Sequence, residues 1–362
     1  MFRRTGVLLC FVFCLLTLSS LASAKAVQAA ESDNIADAVR VVAGKSYSVK
    51  AAEAATLEQG EMNHTCIVTP GQGNSVWFRY KSDRDITVTF DTNGTNLPYA
   101  APNQAYTTDT VMSVFTLNND TPPSEATFPA LWTSGCNDDV AVGTRYSKLT
   151  VEMNSNLWYY IRVTPYKAGV PLPAGSTYKL NVRVENLVAY GSFQTNPVSF
   201  AANWTLSGQG ASDDAMICDV NSACAFHFNS GAAGSSKLKQ VIDSFGGLKF
   251  SPGDLLMLSA TGHLEGTQQD FKMKLAVTYA DGTTTRKKAL VTTDATRLAD
   301  TVTLSTVPML IEKPIARIVV TLVNSAQDAD SGINIDDVVL QPMTLSSEAP
   351  AALPLPPMGG AK

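Results

Sequence analysis

The run Phe271-Lys272-Met273-Lys274-Leu275-Ala276-Val277-Thr278-Tyr279 places a large apolar side chain at every second position. Successive side chains of an extended strand point to opposite faces, so a period of two buries one face of a sheet and leaves the other to solvent. A helix needs apolar residues at intervals of three and four, and no long stretch of the chain has that pattern. The alternation recurs in Ile86 to Phe90, in Leu149 to Met153 and across Tyr178, Leu180, Val182 and Val184. Aromatic and β-branched runs at Val76 to Tyr80, Val111 to Phe115 and Trp158 to Val163 read as strands as well. A second set follows: Cys224 to Phe228, Leu255 to Leu264, Thr283 to Val291, Thr301 to Leu304, Ala316 to Leu322 and Ile333 to Leu340. Asp281-Gly282 supplies a hairpin turn within it. Only 16% of the residues are charged, and 24 Gly and 18 Pro are spread among 362 residues, which suits short strands joined by turns. The expected fold class is all-β, two tandem antiparallel β-sandwiches of jelly-roll type after a cleaved signal peptide.

The ends carry a different signal. Arg3 and Arg4 precede an uncharged apolar run from Val7 to Leu21, and Ala22-Ser23-Ala24 offers a small-residue cleavage site. This reads as a secretory signal; the other reading, an uncleaved anchor, needs a longer apolar span. The expected division is a signal peptide at 1–24, an approach segment at 25–59 and a sandwich at 60–186. A second sandwich at 187–343 and a disordered Pro-rich tail at 344–362 complete it. The approach segment should hold a short helix and a first strand at Lys45 to Ala51. The net charge of 27 − 32 = −5 has no basic excess, which argues against a nucleic-acid partner. The mature chain has no apolar segment of spanning length, so the expected location is secreted, extracellular or cell-surface.

Of six cysteines, Cys10 and Cys14 leave with the signal and Cys66, Cys136, Cys218 and Cys224 remain. An even number in an exported chain suggests disulfides, and four cysteines allow three connectivities. Cys66–Cys136 with Cys218–Cys224 is favoured, because it gives each sandwich its own bridge. No Cys-x-x-Cys pair exists to support zinc.

The first unit resembles the bacterial pre-peptidase C-terminal domain. The residues that carry the resemblance are Ser75-Val76-Trp77-Phe78-Arg79-Tyr80, Thr108-Asp109-Thr110-Val111-Met112, Gly135-Cys136-Asn137-Asp138-Asp139 and Trp158-Tyr159-Tyr160-Ile161-Arg162-Val163. The stretch from Asn96 to Thr107 departs from it as an insertion. The second unit resembles the galactose-binding-like jelly rolls, especially carbohydrate-binding modules. It opens with Tyr190-Gly191-Ser192-Phe193-Gln194, has an early Asn203-Trp204, and closes with Ile335-Asp336-Asp337-Val338. This second resemblance implies a structural calcium between the opening and closing motifs, at Gln194 and Asp336, although Gln194 stands where a Glu is usual.

The best cation candidates in the first unit are Asp109, Asn137, Asp138 and Asp139, because calcium takes six to eight oxygen ligands. The first resemblance implies that they lie near one another. The competing reading is that these side chains form Asx turns and cap loop amides. Asp328 to Gly332 reads as a solvated turn. Sugar binding needs an exposed aromatic plane. Trp204 and Tyr279 are the candidates for it, with Phe226 and Phe228 behind them, and core packing is the competing role for each. His64, His227 and His263 are widely spaced, and no Gly-x-Ser-x-Gly, His-Glu-x-x-His or phosphate-binding Gly loop occurs. Ser-x-x-Lys at 176–179 and 236–239 lacks its partner motifs. No catalytic residue is therefore expected. The expected function is a secreted, non-catalytic protein binding extracellular carbohydrate, the cell envelope or a cell-surface protein, with calcium as its one candidate cofactor. The alternatives are a structural or adhesive surface protein without a small ligand, and a hydrolase whose carboxylate pair carries no motif.

Overall fold

A computed structural model describes residues 32–50, 52–66, 73–117, 128, 131–167, 170–193, 197–208, 214–218, 224–228, 234–265, 269–292, 301–326 and 332–343. The expected signal peptide, the Pro-rich tail, Gln194 and most of the Asp328 to Gly332 turn lie outside these residues. The described residues are nearly all β. The first half carries β1 (Val39–Arg40), β2 (Lys45–Lys50), β3 (Val76–Lys81), β4 (Ile86–Asp91), β5 (Thr110–Leu117), β6 (Trp132–Asn137), β7 (Lys148–Met153), β8 (Trp158–Pro165) and β9 (Thr177–Asn186). The second half carries a short helix α1 (Pro197–Asn203) and β10 (Thr205–Gly208), β11 (Ala215–Cys218), β12 (Cys224–Phe228), β13 (Gly234–Ile242), β14 (Leu255–Glu265) and β15 (Gln269–Tyr279). It ends with β16 (Thr284–Thr292), β17 (Thr301–Ser305), β18 (Met309–Leu310), β19 (Ile315–Ala326) and β20 (Gly332–Met343).

In the first half, β1-β3-β8-β5-β6 form a five-stranded sheet and β2-β9-β4-β7 a four-stranded one. All pairings in these two sheets are antiparallel except β1 with β3. The alternation explains the packing. Val76, Phe78 and Tyr80 of β3 face Val88 and Phe90 of β4 in one buried cluster. The five-stranded sheet is buried on its other face too, where Trp77, Phe115, Leu117 and Tyr160 pack with Ile35, Phe128 and Leu131. The segment that covers this face is pinned by polar contacts. Buried Arg162 pairs with Glu61 and donates to the Met62 carbonyl, and Cys66 is joined to Cys136 of β6.

In the second half, β10-β13-β19-β15-β16 face β11-β12-β20-β14-β17. Phe271, Met273, Leu275, Val277 and Tyr279 all point inward, as their spacing demands. Cys218 is joined to Cys224 across the β11–β12 pair. A bulge interrupts β14 against β20: Ser259 pairs with Val339 but Thr261 with Asp336, which leaves Asp337 and Val338 opposite Ala260. Asp337 has φ 49°, a left-handed value that a bulge accommodates.

The two halves share one contiguous apolar cluster, with residues from all four sheets. Polar contacts bolt the joint. The Asn186 side chain donates to Val338 O and accepts from Val188 N and Leu340 N, and Leu187 N donates to Leu340 O. Tyr80 donates its hydroxyl to Gly246 O at 2.6 Å, and Arg84 donates to Ser244 O and to Gln240 Oε1. No helix among the described residues is long and apolar enough to cross a membrane.

Candidate functional site

Three of the six left-handed non-glycine residues among those described, Tyr190 (φ 52°), Phe193 (φ 53°) and Asp337 (φ 49°), gather at the joint between the halves. Backbone held in this region costs roughly 1–3 kcal/mol per residue and persists where the surroundings impose it. The constraint is visible at Gly191. A Cβ there would lie 2.0 Å from the Val338 carbonyl oxygen, while Val338 N donates to Gly191 O at 2.8 Å. The opening and closing motifs of the second half are thus brought into direct contact.

Beside that contact lies a cleft of about 590 Å³. Its walls come from both halves: the 85–87 strand start, the 152–154 turn, the 185–192 connection and the 337–341 stretch of β20. Glu152, Glu185, Asp337, Asn154, Gln341 and Ser192 line it, while Ile86, Met153 and Val338, which border it too, keep their side chains in the core. Asp85 is held fixed, accepting from Ser155 N and from the Asn203 amide. Tyr190, half-buried, hydrogen-bonds through its hydroxyl with Asn154 Oδ1 at 3.4 Å. A cleft rich in side-chain acceptors, with Tyr190 among its lining residues, suits a neutral polyhydroxylated ligand. Sequence reasoning missed Asp85, Glu152, Asn154 and Glu185, which sit at strand ends with no motif around them. It named Tyr190 and Ser192 only as parts of a family signature.

Trp204 and Tyr279, the expected sugar platforms, correct that expectation: they are 3% and 2% exposed and present no ring to solvent. Trp204 closes α1 through its N–H to Phe200 O, which turns the indole inward. The ring then packs on Phe193 and donates its own N–H to Ala189 O. Tyr279 is the last inward position of β15. Phe226 and Phe228 are buried in the same cluster. The exposed tryptophan is Trp132, 72% exposed on edge strand β6, a residue that no sequence motif marked.

The acidic loop does converge. Carboxylate oxygens of Asp109, Asp138 and Asp139 lie within 4.8 Å of one another. Arg145 already reaches Asp109 Oδ2 at 2.7 Å. Asp138 is pushed up to about 6, by burial first and then by the charges of Asp139 and Asp109. Asn137 turns to the backbone instead, donating to Asp139 O and accepting from Lys148 N, which is the Asx-type bracing role. Three carboxylates supply part of what calcium requires, and loop carbonyls and water would supply the rest. In the second half Asp336 is also pushed up to about 6, by burial first and then by Asp337, and its Oδ1 accepts from Asp337 N.

His64 contacts Ser113 Oγ at 2.6 Å and Thr164 Oγ1 at 2.9 Å. A serine beside a histidine is the arrangement that activates a nucleophile, but Ser113 is fully buried and His64 nearly so, which leaves no path for a substrate. Burial, with Arg162 adding to it, drives the His64 pKa down to about 2, so the ring is neutral and structural. His227 meets Asn334. In the second Ser-x-x-Lys, β13 turns Ser236 inward and Lys239 outward, so the two are on opposite faces.

No protein-family model matches the chain, and no curated protein matches it. Solved structures with a similar strand arrangement include a tailspike protein 4 enzymatically active domain from bacteriophage CBA120. It is 16% identical at a TM-score of 0.33, and the match covers 44% of this chain and 21% of that one. The TmCBM61 structure in complex with β-1,4-galactotriose is 19% identical at 0.32, covering 43% of this chain and 97% of that one. The tandem CBM22-1–CBM22-2 domain of Paenibacillus barcinonensis Xyn10C is 10% identical at 0.30, covering 83% and 92%. At these TM-scores and identities the likenesses carry no weight for function, and the all-β assignment stands on the strand pairing itself.

Proposed function

We propose that this chain is an exported, non-catalytic protein that binds extracellular carbohydrate of the envelope or surroundings, and that the cleft between the two halves takes a neutral sugar unit. The observation that carries the reading is the cleft's lining. Glu152, Glu185, Asp337, Asn154 and Gln341 offer acceptors to sugar hydroxyls, and Tyr190 lines the cleft beside them. A lining this rich in carboxylates disfavours acidic sugars. Export is supported by two disulfides, which persist in oxidising compartments. The non-catalytic reading is supported by the sealed Ser113–His64 contact and by the split Ser236–Lys239 pair. Calcium belongs to the same proposal as a structural ion on Asp109, Asp138 and Asp139, neutralising a loop in which carboxylates crowd.

The test is a polysaccharide array probed with mature protein, in calcium and in chelator, alongside Ser192→Trp, which fills the cleft from a half-buried position. The expected result is retention on at least one neutral polysaccharide, weakened roughly tenfold or more by the substitution, a loss of about 1.4 kcal/mol. Retention on neutral polysaccharide that Ser192→Trp leaves unchanged, or no such retention at all, would refute the assignment to the cleft. A melting temperature that is the same in calcium and in chelator would remove the ion.

A further inference from the structure

The outward face of the sheet β10-β13-β19-β15-β16 is strongly basic in a chain whose net charge is −5. On β13, Lys237 and Lys239 point outward and are exposed. On β15 the outward positions include Lys272 and Lys274, on β16 Arg286 and Lys288, and on β19 Arg317. None of the outward positions of these four strands whose side chains are described is acidic, and the one acid that the register puts in this row is Asp270, opposite Ser325 near the start of β15. None of Lys237, Lys239, Lys274, Arg286, Lys288 and Arg317 has an ion-pair partner among the described residues.

The register turns these cations into two rails. Lys239 and Lys274 both pair with Thr321 of β19, and Lys237 and Lys272 both pair with Val323. The strand between the rails is uncharged there and carries only short side chains, Val319, Thr321, Val323 and Ser325. Neighbouring strands lie about 4.8 Å apart and alternate residues about 6.8 Å apart, so the rails stand roughly 10 Å apart with cations repeating along each. Lys274 also sits directly opposite Lys288. Like charges in that position destabilise a sheet, and an anion lying between them relieves the repulsion.

We propose that this face binds acidic polysaccharide, with one chain bearing carboxylate or sulfate groups lying along β19 between the Lys237/Lys239 and Lys272/Lys274 rails. The charge is complementary, and Thr321 and Ser325 on the floor can bond sugar hydroxyls. No described outward position is aromatic, so the face lacks the stacking platform that single-stranded nucleic acid uses. The surface is separate from the cleft, and its ligand is anionic where that of the cleft is neutral.

The test is the full mature chain titrated at several salt concentrations with polygalacturonate and with heparin, with dextran as neutral control and duplex DNA as competitor. Wild type should bind at least one of the two acidic polymers, and not dextran through this face. Lys239→Ser/Lys274→Ser should weaken that binding roughly tenfold or more with no fall in melting temperature. It should also lower the salt slope by at most about one per lysine removed. Ser192→Trp should leave this binding intact, which separates it from the cleft. Absence of binding to both acidic polymers, binding that the double substitution leaves unchanged, or tighter binding to duplex DNA than to either would each overturn the proposal.

Discussion

His64 shows how one residue ties the sequence to the stability of the fold. Its two ring nitrogens are spent on Ser113 and Thr164, and burial with Arg162 nearby pushes its pKa from 6.5 down to about 2. The unfolded chain takes up a proton near pH 6.5 that the folded one refuses until about pH 2. Stability from this residue is therefore complete above about pH 6.5 and falls as the pH drops, by about 2 kcal/mol at pH 5. Asp138 and Asp336, both raised to about 6, work in the opposite sense, because the folded form takes a proton before the unfolded one does. Both are partly exposed, so solvent weakens their share. Denaturant titrations from pH 7 to pH 5 should show wild type losing stability more steeply than His64→Gln, which cannot charge. Parallel curves would mean that the ring is hydrated in solution.

Among the elements, the contact between the 190–193 turn and β20 bears most on the cleft. A methyl at Gly191 meets the Val338 carbonyl oxygen at 2.0 Å, and backbone on both sides leaves little room to relax. Gly191→Ala should cost about 2–3 kcal/mol, as overpacking does. Gly282→Ala, in a turn with φ 84° and open space around it, should cost only about 1 kcal/mol. Urea midpoints with unchanged slopes measure both, and equal losses would show that the 190–193 turn yields freely. The strands with clean alternation were legible because an inward apolar side chain at every second position has only one extended solution. β15, with Phe271 to Tyr279 inward, is the plainest. β13 was not legible, because two of its inward positions, Ser236 and Gln240, are polar and its outward ones include Lys237 and Lys239. β10 and β11 are short, and β6, as long as β4, lacks an apolar repeat. The cysteine pairing was legible, since Cys66–Cys136 and Cys218–Cys224 each lie within one proposed sandwich. The cleft was not. Its residues come from four separated stretches, and Trp204 drew attention that burial denies it.

At the scale of the whole molecule, the cleft exists because the halves are fused. A flexible link would let its walls separate. Here one apolar cluster runs through all four sheets, with Asn186, Tyr80 and Arg84 bonding across the joint. The walls are thereby preorganised, which spares a ligand the entropy of assembling them. The basic face of β13, β15 and β19 stands apart from this site and serves an anionic ligand rather than a neutral one. Hydrogen exchange of the full mature chain, with and without a neutral polysaccharide that it retains, tests the cleft most directly. The account predicts slowed exchange in the stretches 85–87, 152–154, 185–192 and 337–341, on both sides of the joint, with β15 and β19 unchanged. Protection confined to one half, or confined to the β13-β19-β15 face, would contradict it.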